Sequence, residues 1–493
     1  MSAFLNLLFT CLSFVNVLFA VVIVFTERKN PAGTWAWVMV IVFVPFVGFF
    51  LYLLIGLDSR KYRRFAEKGR QDEGNFEKLL EMNMEGHNFI RSQRTSMEHR
   101  EVLRIPGAEH LNDLAALNFS DGHGALSSNN GLTVYHDGNT KFADLLVDIN
   151  NAESFIHIMY YIVRADRIGR EMIDALSAAA ARGVEVKMLL DGMGCYGTPK
   201  RLFKPLKKTG GEVSIFWPPH FARVNFRNHR KLCVIDGKSG YLGGMNIGDE
   251  YLGRVNRFGF WRDTHIKITG DAIKELEIRF ISDWNFSVPD RPADGKLKFQ
   301  AKYFPVLERK NGVCIQIVSS GPDTKWSNIY NGYAKMMAEA DRNIYIQTPY
   351  FSPDDCIFQS LRIAALSGID VRIVIPANPD HYFVYWASLS YLGELIKAGV
   401  KCYQYEKGFI HSKLLCVDGT VCSTGTANMD VRSFNLNFEL NAFIYDRNVT
   451  KQLEEAFLRD LDDCTEITPG WYNSRPKFDK IKESVSRLLS PLL

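Results

Sequence analysis

The sequence predicts an α/β protein: an N-terminal hairpin of two transmembrane helices, then two homologous halves related by a pseudo-twofold axis, each a mixed sheet flanked by helices. Two long uncharged stretches occupy residues 3–25 and 34–56, β-branched runs alternate with amphipathic stretches beyond residue 120, and the order of those runs is written twice. The chain divides accordingly into an anchor over 1–57, a connector over 58–120, a first half over 121–295, and a second half over 296–493 that ends in an amphipathic helix.

Each apolar stretch is long enough to cross about 30 Å of hydrocarbon at about 1.5 Å per residue. The link from Thr26 to Gly33 permits only a hairpin, so both ends of the anchor share one side of the membrane. That link carries Arg28 and Lys29, whereas Arg60, Lys61, Arg63, Arg64, Lys68 and Arg70 follow the second stretch, which predicts a cytoplasmic remainder. A cleaved signal peptide is the competing reading of the first stretch, but neither a basic segment before it nor a small-residue cleavage site after it is present. Composition agrees with a folded chain, at 46% apolar and 23% charged residues. The net charge of +4 provides no global field for nucleic acid. Nine scattered cysteines without a C-x-x-C pair predict reduced thiols, with neither a disulfide framework nor a zinc site.

The connector is polar, with helical character over residues 75–91, and little function is read there. Beyond it, Ser154–Val163 is echoed by Asn343–Ser352, Gly183–Asp191 by Gly368–Pro376, and Gly210–Pro218 by Lys397–Glu406. A period near 180 residues is too long for a solenoid and implies two homologous units whose equivalent loops meet at a shared cleft.

The chemistry lies in a duplicated motif. His229-x-Lys231-x4-Asp236 and His411-x-Lys413-x4-Asp418 each continue to a Gly-x-x-Asn, ending at Asn246 and Asn428, 17 residues after the histidine in both copies. With 11 histidines, one such match is expected about 0.03 times per chain by chance, and a duplicated one far less often. Residues i and i+2 of a strand share a face, so each histidine projects beside its lysine. Two ammonium groups, Lys231 and Lys413, suit the non-bridging oxygens of a phosphodiester, to which Asn246 and Asn428 add uncharged donors. One imidazole, held neutral, attacks phosphorus while the other, protonated, donates to the leaving alcohol. Such an imidazole needs its second nitrogen tied to an acceptor. Asp263 and Glu439, which open the last strand of each half, are the candidate partners; a structural ion pair elsewhere in the sheet is the alternative reading of both.

These paired motifs resemble the signature of the phospholipase D superfamily. TWAWVMVIVFVPFVGFFLYLLIG, WRDTHIKITG, QTPYFSPDD and GTANMDVRSFNLNFELNAFIYD are similar in particular to bacterial cardiolipin synthases, and the likeness spans nearly the whole chain. The resemblance implies a metal-free, cofactor-free active site shared by two phospholipase D-like halves, a phosphohistidine intermediate, and carboxylates at Asp263 and Glu439 that pair with the histidines. It also implies that Asp236 and Asp418, though part of the motif, serve structure more than chemistry. Gly244, where many members carry serine, reads as a mild departure. The expected partners are membrane phospholipids, phosphatidylglycerol and cardiolipin, in a bacterial cell membrane, and no nucleic acid. The expected reaction moves a phosphatidyl group from one phosphatidylglycerol to another, with His229 as nucleophile and His411 as general acid, or the reverse.

The rivals are hydrolytic phospholipase D, a nuclease or phosphodiesterase on the same frame, and a scaffold that has lost catalysis. Extended basic stretches with interleaved aromatics would mark the nuclease, and degenerate motifs the scaffold; neither is present. Smaller features are Arg223, Arg227 and Arg432 near the motifs, each able to hold a phosphate or simply to face solvent, and Trp217-Pro218-Pro219, a turn or a substrate mouth. In the C-terminal helix, Phe478, Ile481, Val485, Leu488 and Leu492 recur at helical spacing; docking of that face onto the parent domain is expected ahead of contact with lipid.

Overall fold

A computed structural model of the chain describes residues 63–81, 105, 108–122, 124–216, 226–288, 296–307, 312–488 and 490, together with 17, 18, 21, 31–44 and 48 of the N-terminal region. Two compact units emerge, one of residues 1–67 and 219–226, the other of 68–218 and 227–493. In the first, Pro31–Phe43 is an apolar helix in which Trp37 and Val38 pack on buried Ile41. No described helix is long and apolar enough to cross a membrane. Most of the first expected span and the latter part of the second, together with Arg223 and Trp217-Pro218-Pro219, lie outside the described residues.

The larger unit holds both halves. The first contributes β1 (Ser127–Tyr135), β2 (Phe155–Tyr160), β3 (Glu185–Asp191), β4 (Glu212–Phe216), β5 (Arg227–Asn228), β6 (Leu232–Ile235), β7 (Ser239–Gly243), β8 (Phe260–Arg262) and β9 (His265–Gly270). The second contributes β10 (Val313–Ser320), β11 (Asn343–Gln347), β12 (Phe351–Ser352), β13 (Asp370–Pro376), β14 (Lys401–Tyr405), β15 (Gly408–Ile410), β16 (Leu414–Val417), β17 (Val421–Gly425), β18 (Met429–Asp430), β19 (Asn437–Tyr445) and β20 (Cys464–Glu466). Sixteen of these strands merge in one mixed sheet whose seam is the antiparallel pair β1 and β10, while β12 pairs with β18 and β15 with β8 apart from it. Outward from the seam the order is β9, β7, β6, β2, β3, β4 on one side and β19, β17, β16, β11, β13, β14 on the other, the same arrangement twice. The outer strands of each half run parallel and are joined by helices, as parallel pairing requires.

The repeat extends to helix stops. Gly183 and Gly368 follow corresponding helices with φ of 94° and 93°, and Gly210 and Gly399 follow the next pair at 97° and 98°. Each supplies the left-handed residue that closes a helix, and the next amide returns to a carbonyl five residues back, as in Val184 to Ala179 and Ile369 to Ala364.

Two details differ from the sequence expectation. Asp236 N–H donates to Phe155 O and Asp418 N–H to Asn343 O, so Phe155 corresponds to Asn343, one residue off the alignment of Ser154 with Asn343. Every residue of β2 is buried, so no alternation marks which face is which and the register is not visible in the residues themselves. The connector is also more than a link. Its helix Asn112–Gly122 packs Leu114, Ala115 and Phe119 into the second half's core beside Val318, Tyr333 and Met336.

Candidate active site

The two motifs reach one cavity by crossing over. β5, which leads into His229, runs parallel to the start of β19 in the opposite half, and β15, which leads into His411, runs parallel to β8. His229 N–H donates to Phe438 O at 2.9 Å and His411 N–H to Arg262 O at 2.7 Å. In each case the next residue of the accepting chain is the acidic one. His229 Nδ1 therefore meets Glu439 at 3.0 Å, and His411 Nδ1 meets Asp263 Oδ2 at 2.8 Å. Each carboxylate therefore meets the histidine of the other half. With Nδ1 engaged, Nε2 is the nitrogen left for chemistry.

Both histidines line a cavity of about 560 Å³, with Asn246, Asn428, Arg227 and Arg432. Aromatic rings wall it. Tyr161 meets the His229 ring edge-on at 4.9 Å, and Trp261 lies 5.3 Å from the His411 ring. Lys231 and Lys413 are buried, and each Nζ donates to the carbonyl of its own histidine at 2.6 Å, which leaves two further N–H groups per ammonium. Arg227 donates to the Tyr161 hydroxyl at 2.9 Å. The two asparagines are not equivalent. Asn246 accepts from Ile162 N–H at 3.0 Å and donates to Tyr251 at 2.7 Å, whereas Asn428 Oδ1 is buried without a partner among the described residues.

Burial and crowded positive charge set the electrostatics. Burial, then repulsion from Lys413 weighed against attraction from Asp263, brings His411 down to about 4, and burial with Lys231 and Lys413 holds His229 well below its ordinary value. Burial lowers Lys231 to about 7 and Lys413 to about 8, although the carboxylates pull the other way. Glu439 is pushed up to about 7 by the same burial. Every group is thus displaced toward its neutral form. An anion among these groups would reverse each displacement of the cations, which suits them to a phosphodiester.

Asp236 and Asp418 stand elsewhere. Each lies beyond the far end of the motif strand, about 3.3 Å per residue away from its histidine along the chain, and neither lines the cavity. Their φ values of 53° and 56° are left-handed. Asp236 accepts from the amides of Glu153, Ser154 and Phe155, and Asp418 from those of Asp341, Arg342 and Asn343, so each clamps the start of the neighbouring strand. Both carboxylates thus spend their acceptor capacity on backbone amides away from the histidines.

Gly244 lies against the Asp263 carboxylate. A Cβ there would lie 2.1 Å from Asp263 Oδ1. The equivalent residue of the second half is Thr426, whose hydroxyl donates to Glu439 Oε2 at 2.5 Å. The shorter carboxylate stands in the space that a side chain occupies on the other side, so a side chain at 244 would require Asp263 to shift.

Several contributors carry no signal in the motif. Arg230, between His229 and Lys231, is fully buried and donates to Glu439 O at 3.2 Å, to Ser319 Oγ at 3.1 Å and to Asp283 at 2.5 Å. Asp283 in turn meets Lys68 Nζ at 3.0 Å, which also pairs with Asp72 and Asp323 at 2.7 Å. Lys68 belongs to the connector, where the sequence reading placed little function. Only a buried arginine inside the motif hints at this network, and burial is not legible from residue type.

Residues 145–284 and 333–461 match the family described as "Cardiolipin synthase, PLD-like domain", and residues 14–56 match "Phospholipase_D-nuclease N-terminal". The chain is 44% identical over 495 residues, 99% of each chain, to the major cardiolipin synthase ClsA of Bacillus subtilis (strain 168). It is 43% identical over 496 residues, 99% of this chain and 97% of the other, to a cardiolipin synthase of Staphylococcus aureus. Among solved structures, phosphatidylserine synthase of Haemophilus influenzae Rd KW20 shares the fold with a TM-score of 0.57 at 16% identity, over 73% of this chain and 95% of that one. With two intact motifs converging on one cavity and family matches in both halves, the chain belongs to the cardiolipin synthase family with phospholipase D-like domains.

Proposed function

We propose that this protein is a cardiolipin synthase, a phosphatidyltransferase that converts two phosphatidylglycerols to cardiolipin and glycerol. The observation that carries the reading is the crossed pairing: two imidazoles, each fixed by a carboxylate of the opposite half, line one cavity with two buried lysines behind them. Nε2 of His229 attacks phosphorus while the bond to the glycerol oxygen breaks, and His411 gives its Nε2 proton to that oxygen. In the second step His411 takes the proton from the hydroxyl of another phosphatidylglycerol, whose oxygen attacks phosphorus as the N–P bond breaks. Lys231 and Lys413 offset the charge on the non-bridging oxygens, and Asn428, with its unpartnered amide oxygen, and Asn246 line the same wall. Burial and both lysines lower the two histidines alike, His411 to about 4, and Asp263 offsets part of that for His411; the choice of His229 as nucleophile rests on the family resemblance, and the reverse order uses the same geometry.

The anchor over 1–57 is read as a two-span hairpin with the catalytic part cytoplasmic, in a bacterial cell membrane, on the strength of two uncharged stretches and the basic cluster after them. The test of function supplies labelled phosphatidylglycerol in detergent with a chelator and follows cardiolipin, glycerol and phosphatidic acid. Cardiolipin with glycerol in equal amount is expected. Phosphatidic acid as the sole lipid product would replace the transferase with a hydrolase.

A further inference from the structure

The C-terminal helix Lys477–Leu488 docks inside out. Glu483 and Ser486 are its buried residues, while Phe478, Ile481, Val485 and Leu488 are 67, 57, 49 and 81% exposed. Their spacing of three, four and three places these four side chains on one face. Polar contacts hold the opposite face. Glu483 accepts from the Tyr472 hydroxyl at 2.8 Å and pairs with Arg475, and Arg487 pairs with Glu394 and lies over the Tyr391 ring. Lys482 Nζ sits 4.6 Å from the Trp386 ring and 4.9 Å from that of Phe478. These contacts run in the same order along the helix Tyr382–Lys397, so the two helices lie side by side and parallel. The Phe478 end is therefore beside the start of the neighbour, where Tyr382 and Phe383 are 68 and 58% exposed and His381 and Val384 line the active-site cavity.

An amphipathic helix docked on a soluble domain ordinarily buries its apolar stripe. Here the stripe is left outward and flanked by cations: Lys477 and Lys480 are exposed and make no ion pair among the described residues. A short apolar face edged by lysines matches the chemistry of an anionic lipid surface, where side chains enter the acyl boundary and ammonium groups meet headgroup phosphates. We infer that this helix is a second lipid-contact element, lying in the interface of an anionic bilayer beside the cavity mouth. It goes beyond the proposed reaction, for which an N-terminal anchor alone would suffice.

The test uses the full chain in vesicles of phosphatidylcholine and phosphatidylglycerol, with Cys11 and the exposed Cys356 replaced by serine. Spin labels at Ile481→Cys and Val485→Cys should be more accessible to oxygen than to a water-soluble nickel chelate, and one at Ser484→Cys should show the reverse. Water-like accessibility at 481 and 485 would overturn the inference; so would shielding from both reagents, which would mean that protein covers the face. In a companion variant, Ile481→Asp/Val485→Asp/Leu488→Asp, KM for phosphatidylglycerol in vesicles should rise by about tenfold or more, with turnover unchanged on detergent-dispersed substrate. An unchanged vesicle KM would count against the helix. The labels need no catalysis, so a chain that makes no cardiolipin yet shows lipid-exposed labels would reject the proposed reaction and leave this contact standing.

Discussion

Glu439 lies 210 residues after His229 and in the other half of the chain, yet its carboxylate meets the imidazole Nδ1 at 3.0 Å. His411 and Asp263 repeat the relationship in the opposite direction at 2.8 Å. Neither half alone contains an oriented histidine, which gives a physical reason for the two halves to share one continuous sheet. Glu439→Gln and Asp263→Asn keep the shape but remove the charge that fixes the tautomer and steadies an imidazolium. Each should lower kcat by about a hundred- to ten-thousand-fold with little change in KM, as measured by cardiolipin formation. His229→Ala and His411→Ala should each abolish turnover. Normal activity in either would exclude a shared two-histidine site.

Gly244→Ala is expected to be as damaging as loss of Asp263 itself. The added methyl would sit 2.1 Å from Asp263 Oδ1 and drive the carboxylate off His411. Thr426→Val, on the other side, removes one donor from Glu439 and the acceptor of Leu440 N–H at 2.9 Å but places no atom against the carboxylate, and should cost less. Activity ratios of the two variants check this, and equal losses would show that the asymmetry between the carboxylates has no catalytic weight.

Anion binding should take up protons. Lys231 at about 7 and Lys413 at about 8 both gain charge-stabilising company when a phosphodiester arrives, so their pKa values rise on binding. Affinity is then greatest below about 7 and falls as pH rises through 7 to 8, because each lysine must first be protonated. Calorimetry with dibutyl phosphate, which stays a monoanion throughout, should show heats at pH 7.5 that depend on buffer ionisation in the sense of proton uptake. Proton release would contradict the assignment.

Lys68 tests how far the site is held from outside the motifs. Its ammonium faces Asp72, Asp283 and Asp323, and Asp283 holds Arg230, which in turn holds the Glu439 backbone. Lys68→Met removes the ammonium that buried Asp323 faces, while Asp283 keeps Arg230 and Asp72 keeps Arg279, and should destabilise the fold by about 3–5 kcal/mol, read from urea denaturation of the detergent-solubilised chain. Lys68→Met/Asp323→Asn should recover part of that loss. Lys68→Arg should retain most of the stability, since charge is the property in demand.

What was legible in the residues divides along physical lines. The duplicated motif, the two halves and the candidate carboxylates follow from residue type and spacing, because strand geometry and phosphodiester chemistry constrain both. Which carboxylate serves which histidine depends on strands β5 and β15 running beside the opposite half, a long-range pairing with no local trace. The one-residue shift between Ser154 and Phe155 was hidden because β2 is buried on both faces. The outward apolar face of the C-terminal helix was hidden for another reason: periodicity marks a stripe, and the neighbours decide where it points.

Asp236 separates a structural from a catalytic role within the motif itself. Its carboxylate accepts three backbone amides at 2.8 to 2.9 Å, and its own backbone is left-handed at φ 53°. Asp236→Ala loses all three acceptor contacts and places a residue with a poor tolerance for that conformation, a backbone cost of about 1–2 kcal/mol before the orphaned amides are counted. Asp236→Asn retains a carbonyl and tolerates the left-handed region, so it should lie between wild type and alanine in stability. Because the cavity is lined without Asp236, kcat of the folded fraction should stay within a few-fold of wild type in both. Thermal unfolding and active-site titration of the same samples decide it: a wild-type melting temperature with kcat reduced as far as in His229→Ala would return Asp236 to the reacting set.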